Sequence, residues 1–121
     1  MQYLLLISDK EDVWATMPED ERNAVFAEYG TYTTELASRG ILVGANQLQP
    51  SDTATVVSVR DGETITTDGP YAETKEVLGG YYLIDVETLD EALEWAAKIP
   101  SARYGHIEVR PIVMRQAEVS A

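Results

Sequence analysis

Tyr3-Leu4-Leu5-Leu6-Ile7 and Tyr81-Tyr82-Leu83-Ile84 decide the fold. Both stretches are short, aromatic or branched, and apolar at both parities, which reads as strand. A strand in a sheet with one wet face alternates apolar and polar residues. These two do not, so both faces of their sheet require cover.

Outward from them, strand and helix periods alternate. Gln2 to Ser8 opens the chain as a strand, and a polar loop follows. Pro18-Glu19-Asp20-Glu21 then starts a helix, favoured by the fixed φ of proline and by acids at the positive end of the macrodipole. Val25, Tyr29, Tyr32 and Leu36 form its apolar stripe, and Gly40 stops it. Ile41 to Leu48 and Ala54 to Arg60 read as strands. Asp61-Gly62 turns the chain, and Glu63 to Thr67 returns as the second arm of a hairpin. Gly80 to Val86 is the next strand. Thr88-Leu89-Asp90-Glu91 is a capping box that opens a helix over 88–98, with Leu89, Ala92, Leu93, Ala96 and Ala97 inward and Pro100 as its stop. His106 to Val113 alternates, with Ile107 and Val109 on one face and His106, Glu108 and Arg110 on the other. Trp14 and Trp95 read as packing residues.

The order β-α-β-β-β-β-α-β, two β-α-β halves with a hairpin between them, implies an α+β fold: a ferredoxin-like antiparallel sheet with two helices on one face. Those helices cover one face of the sheet. The other calls for a second copy of the chain, so a homodimer formed sheet on sheet is expected.

Composition narrows the function. The chain of 121 residues is one domain's worth, 1–121. It has no cysteine, which removes disulfides, thiolate metal sites and a Cys nucleophile. A single histidine and no ligand spacing give no metal site. No stretch approaches the roughly 20 apolar residues of a membrane span, and the N-terminus lacks the basic segment of a signal peptide. The cytoplasm is the expected location. A net charge of -12 disfavours nucleic acid and anionic membranes and leaves solubility, or a basic protein partner, as its role. No dinucleotide fingerprint, phosphate-binding glycine loop or Ser-His-Asp order is present, so no cofactor is expected.

The polar chemistry gathers in Asp68-Gly69-Pro70-Tyr71-Ala72-Glu73-Thr74-Lys75-Glu76. Asp68-Gly69-Pro70 reads either as a turn in which Asp68 caps backbone amides or as the rim of a pocket with Asp68 as acceptor or base. If 72–77 form a helical turn, Glu73 and Glu76 share a face, and two close carboxylates raise one pKa. Lys75 can hold an anionic group or pair locally with Glu76. Asp68, Glu73 and Glu76 are thus the candidate catalytic residues, and Tyr71, Lys75 and His106 the candidate substrate contacts. His106 shares its strand face with Glu108; it is either plain surface or half of a His-Glu pair that works near neutral pH. Arg103 and Tyr104 precede that strand and can line a pocket mouth.

The nonapeptide, followed by Gly79-Gly80-Tyr81-Tyr82-Leu83-Ile84, resembles the signature of the YCII-related proteins of the DGPF-motif branch. The similarity runs through Gly40-Ile41-Leu42-Val43-Gly44, Leu89-Asp90-Glu91-Ala92 and Glu108-Val109-Arg110-Pro111, nearly the whole chain. The resemblance implies a dimeric α+β barrel and a bacterial cytoplasmic protein, often encoded beside extracytoplasmic-function sigma factors. Some YCII-related members are enzymes on small aromatic molecules, a dehydrochlorinase among them. They use a His-Asp pair, with the histidine in the first helix and the aspartate just before the proline that closes the second. In this chain Glu28 or Tyr29 falls near the first position and Ile99 precedes Pro100, so the pair is absent. The leading expectation is a small-molecule pocket between sheet and motif loop. Its rival is a non-catalytic regulator that meets a sigma factor through its acidic surface. A cofactor-free oxygenase is a third reading by fold analogy alone.

Overall fold

The computed structural model describes residues 1–115; the last residues of the expected domain, 116–121, lie outside it. The elements run β1 (Gln2–Asp9), α1 (Glu11–Thr16), α2 (Glu19–Ser38), β2 (Leu42–Gln47), β3 (Thr55–Arg60), β4 (Glu63–Asp68), β5 (Val77–Asp85), α3 (Leu89–Ala97) and β6 (His106–Pro111). Single 3-10 turns occupy Ser51–Thr53 and Pro100–Arg103.

Four strands form an antiparallel sheet in the order β2-β5-β1-β6, and β3-β4 stand apart as a hairpin. The two apolar stretches are the central pair of that sheet: Tyr3 faces Ile84 and Leu5 faces Tyr82. Each β-α-β half skips one strand, so the fold is ferredoxin-like α+β. On the inward face, Tyr3, Leu5, Ile7, Tyr82 and Ile84 pack against Tyr32 and Leu36 of α2 and Ala92, Trp95 and Ala96 of α3. The buried Tyr32 hydroxyl donates to the Trp95 carbonyl at 2.8 Å, and Tyr32 meets the Tyr82 ring edge-on at 5.1 Å. The core therefore carries polar groups, each with a partner.

Three local expectations differ. The loop after β1 contains α1, which buries none of its residues and has no apolar stripe to betray it. Helix α3 turns Trp95 inward and leaves Leu89 and Leu93 half exposed, because the larger ring fills the gap against Tyr32 at 6.0 Å. Residues 72–76 are not helical; β5 begins at Val77, earlier than the alternation suggests, since Gly79 and Gly80 belong to the strand. The capping box forms, with Thr88 Oγ1 accepting from the Glu91 amide at 3.2 Å.

The outward face of the sheet carries Leu4, Leu6, Tyr81 and Leu83, all partly buried. Val57, Val59 and Ile65 of the hairpin are largely exposed. If α3 sits as described, Trp95→Ala costs ~3–5 kcal/mol and Leu93→Ala less than ~1 kcal/mol. Urea unfolding of both variants checks this; equal costs contradict the orientation of α3.

Candidate functional site

The inward alternation of β1 does not end in the core. Tyr3, Leu5 and Ile7 are followed at the same parity by Asp9, a carboxylate only 5% exposed. Burial of a charge without a counter-charge is costly, and the group responds by holding its proton. Burial is the largest cause that raises the Asp9 pKa; the Trp14 hydrogen bond opposes it, and the negative charges of Glu76 and Glu11 reinforce it.

Several elements converge on this carboxyl. Helix α1 folds back so that Trp14 Nε1 donates to Asp9 Oδ2 at 2.7 Å. The helix is held by Ser51, whose amide donates to Glu11 Oε2 at 2.9 Å and whose hydroxyl donates to Glu11 Oε1. Arg22 of α2 donates to the Trp14 carbonyl at 3.3 Å. The Trp14 ring stacks on Phe26 and tilts against Tyr104. Asp9 Oδ1 takes no hydrogen bond among the described residues, and no fully buried side-chain oxygen among them lacks a partner, so Oδ1 is the oxygen that reaches solvent. It faces Gly79, where a Cβ would lie 3.9 Å away. On the other side Gly105 approaches so closely that a Cβ there would lie 2.7 Å from Asp9 Cβ and 2.1 Å from the Ser8 carbonyl oxygen.

Three polar pairs lie at this end of the fold. The Tyr29 hydroxyl donates to Ser101 Oγ at 2.6 Å. Ser101 is buried, and the Tyr29 pKa is raised, chiefly by burial, with a small contribution from the charge of Asp9. The Arg103 guanidinium grips Glu28 through two hydrogen bonds, 2.8 and 3.0 Å, and lies over the Tyr104 ring. The arginine holds the Glu28 carboxyl below its ordinary range. The third pair is Glu76 and His106: both carboxylate oxygens approach His106 Nδ1, at 2.9 and 3.0 Å. Strand pairing brings the two to the same end of β1: Val77, next to Glu76, sits opposite Asp9, and His106 sits opposite Ser8, whose side chain points to the other face of the sheet.

Of the residues read as candidates, the structure brings Glu76 and His106 together. Glu76 pairs with His106 and not with Lys75; Glu108, the strand neighbour of His106, meets Arg110 at 3.8 Å instead. Asp68 ends β4 and Gly69 follows at φ 92°, so the chain bends here, but the Asp68 side chain caps no backbone amide among the described residues. Asp68, Tyr71, Glu73 and Lys75 are exposed and make no side-chain hydrogen bond or ion pair among the described residues. Thr74 closes the loop on itself by donating to the Glu76 carbonyl. With 72–76 non-helical, Glu73 and Glu76 share no helical face. Asp9, Trp14 and Ser101 carry chemistry that the motif-centred reading did not assign. Asp9 gave no separate signal, because Tyr3 to Ile7 are apolar at both parities and the inward face is set only by the helices that pack on it. The described residues hold no cluster of His, Asp or Glu suited to a metal ion. Two open concavities, one lined by Met1, Asp85 and Glu91 and one along α2, lie away from Asp9.

A ferredoxin-like antiparallel sheet in the order β2-β5-β1-β6 defines the class of fold. The YCII-related domain model matches residues 1–115, and the chain belongs to that family. It is 36% identical over 116 residues to an uncharacterized protein of Rhizobium meliloti (strain 1021), covering 94% of each. Among solved structures it is similar to 5-chloro-2-hydroxyhydroquinone dehydrochlorinase of Burkholderia phenoliruptrix AC1100, in complex with 2,5-dihydroxybenzoquinone. The TM-score is 0.54 with 11% identity, over 97% of this chain and 98% of that one. At that identity the likeness is one of fold.

Two predictions follow from the buried acid. The folded chain holds the Asp9 proton more tightly than the unfolded chain. That stability is complete below the unfolded carboxyl value and is lost as pH rises through the folded one. Asp9→Asn cannot ionise and retains it, so the variant is expected to melt above the wild type at pH 7, with the gain closing toward about pH 3. A pH series of melting curves checks this; a loss that does not vary with pH contradicts it. Gly105→Ala is expected to cost ~1–3 kcal/mol or more through the backbone clash, measured by urea unfolding.

Proposed function

We propose that the chain binds a small oxygen-bearing molecule at the Asp9 end of the sheet and acts on it by proton transfer, as a cytoplasmic homodimer. The observation that carries this reading is Asp9: a buried carboxyl held toward its neutral form, with one oxygen fixed by Trp14 and the other open to solvent. A neutral acid donates its proton from Oδ1 to a ligand oxygen and becomes a carboxylate, which the Trp14 N–H stabilises in place. The reverse transfer restores it. Such a group is destabilising to keep, and the fold spends stability on it at a place where packing alone would choose a hydrophobe. The dehydrochlorinase that shares the fold was solved with 2,5-dihydroxybenzoquinone, which supports a small oxygenated ring as a ligand this architecture can hold.

Of the motif from Asp68 to Glu76, Glu76 contributes to this site, and the exposed remainder shapes the loop. The half-covered face of Leu4, Leu6, Tyr81 and Leu83, with the exposed apolar hairpin, supports the homodimer. The described residues contain no helix long and apolar enough to cross a membrane.

A thermal-shift panel of small carbonyl and phenolic compounds tests the site. A compound that stabilises the wild type is expected to lose most of its shift with Asp9→Asn and to keep it with the combined Asp68→Asn, Glu73→Gln, Lys75→Ala variant. The opposite pattern returns the site to the motif loop. Sedimentation at micromolar concentration is expected to show a dimer, and a monomer contradicts the sheet-on-sheet arrangement.

A further inference from the structure

A ligand has to reach Asp9, and Asp9 is only 5% exposed. Oδ1 has room beside Gly79, but a molecule larger than water arrives there only if a neighbouring element moves. Three elements press on the carboxyl: β5 through Val77 and Gly79, the turn that ends at Gly105, and α1 through Trp14. β5 carries Tyr82 and Ile84 of the core, and the turn contains the buried Pro100 and Ser101. By contrast, α1 buries none of its 6 residues. A segment that buries no apolar surface opens at the lowest cost in a fold, and so short a helix has little stability of its own.

The chain on either side of α1 is fixed, because Asp9 and Met17 are both buried. Between them it is extended at Lys10 (φ -79°, ψ 126°) and at Met17 (φ -66°, ψ 133°). The helix is thus one short body between two joints, and polar contacts hold it down. Glu11 accepts from the Ser51 amide at 2.9 Å and from the Ser51 hydroxyl. Trp14 Nε1 donates to Asp9 at 2.7 Å. Arg22 reaches the Trp14 carbonyl at 3.3 Å, long for an N–H···O bond. The Trp14 ring rests on Phe26, itself 47% exposed. Ser51 is the half that stays put. Its segment is tied to the body where the Leu48 amide meets the Gly79 carbonyl at 2.9 Å and the Gly69 amide meets the Ala54 carbonyl at 2.7 Å. Gly69 of the motif therefore braces the point to which α1 is fastened.

We propose that α1 is a lid over Asp9, latched by Glu11 on Ser51, which opens to admit a ligand and closes for proton transfer. Its purpose rests on the reading of Asp9 as the acid–base group. Opening exchanges the Glu11 hydrogen bonds for bonds to water, a small net change because Glu11 stands at the surface. Trp14 leaves with the helix, so Asp9 Oδ2 loses its donor in the open state and regains it on closure. The carboxylate that forms when Asp9 gives up its proton is then stabilised only beneath a shut lid, with bulk water excluded.

The Trp14 indole N–H reports the lid directly, since closure bonds it to Asp9. The chain has 2 tryptophans, and Trp95 is buried in the core as an internal control. Hydrogen exchange of both indole N–H groups is followed by NMR in the wild type, Glu11→Ala, Ser51→Ala and the double variant. Asp12→Asn is the control on α1: Asp12 is an exposed acid whose side chain makes no hydrogen bond or ion pair among the described residues. Glu11→Ala is expected to speed Trp14 exchange roughly three- to tenfold. Ser51→Ala keeps the amide donor and is expected to do less. The double variant is expected to match Glu11→Ala, as two halves of one latch must. Trp95 exchange is expected to stay put throughout, and Asp12→Asn to change neither signal. Trp14 exchange unmoved by Glu11→Ala, or rising only together with that of Trp95, overturns the lid. An equal rise in Asp12→Asn overturns the latch. An Asp9 carboxyl that titrates at its ordinary value removes the acid but leaves these exchange rates as they are, so the two readings fail separately.

Discussion

The structure depends on β1. It is paired on both edges, to β5 and β6, and it is apolar on both faces. Its inward residues carry the core, with Leu5 fully buried. Each such side chain contributes roughly 1.5–3 kcal/mol when removed from water. The same alternation that places Leu5 and Ile7 against the helices must place Asp9 inward, because a strand offers no freedom to rotate one residue away from its register. An acid is thereby buried by the geometry that builds the core, and helix α1, Trp14 and the glycines around it are arranged about that fact.

This explains why small features cluster at one end of the sheet. Gly105 lets the chain pass against Ser8 and Asp9, where any side chain would collide. Trp14 gives the buried carboxyl one donor and no compensating charge, which leaves it closer to neutral than an ion pair would. The Tyr29–Ser101 hydrogen bond adds hydroxyls behind it without adding charge. By contrast, the strong ion pair of the region, Arg103 with Glu28, is exposed and sits at the rim, where it shapes the surface around Tyr104.

Much of the fold was legible in the chain because it rests on periodicity. The stripe of α2, the capping box at Thr88 and the two-faced apolar strands each have one geometric reading. The unreadable parts have physical reasons. Helix α1 buries nothing and is held by Trp14 and Glu11 through contacts distant in sequence, Ser51 among them. The inward face of α3 was settled by the size of Trp95 and not by hydrophobicity, which favours Leu93 equally. At the site, local density of charge drew attention to Asp68, Glu73 and Lys75, yet charge that is solvated needs no partner. The partner of His106 is Glu76, 30 residues away in sequence, and only the pairing of β1 with both neighbours brings them together. Asp9 was not readable either: the strand read from the sequence ends at Ser8, and with Tyr3 to Ile7 apolar at both parities only the packing of the helices shows that the Asp9 parity faces inward.

The central claim is that Asp9 is a buried acid poised to transfer a proton. The most direct measurement is a carbon-13 NMR titration of the Asp9 carboxyl carbon in the folded protein. The account predicts a midpoint above the ordinary aspartate value of about 3.9. A midpoint at or below that value would mean that Asp9 is an ordinary carboxylate, and the site described around it would not stand.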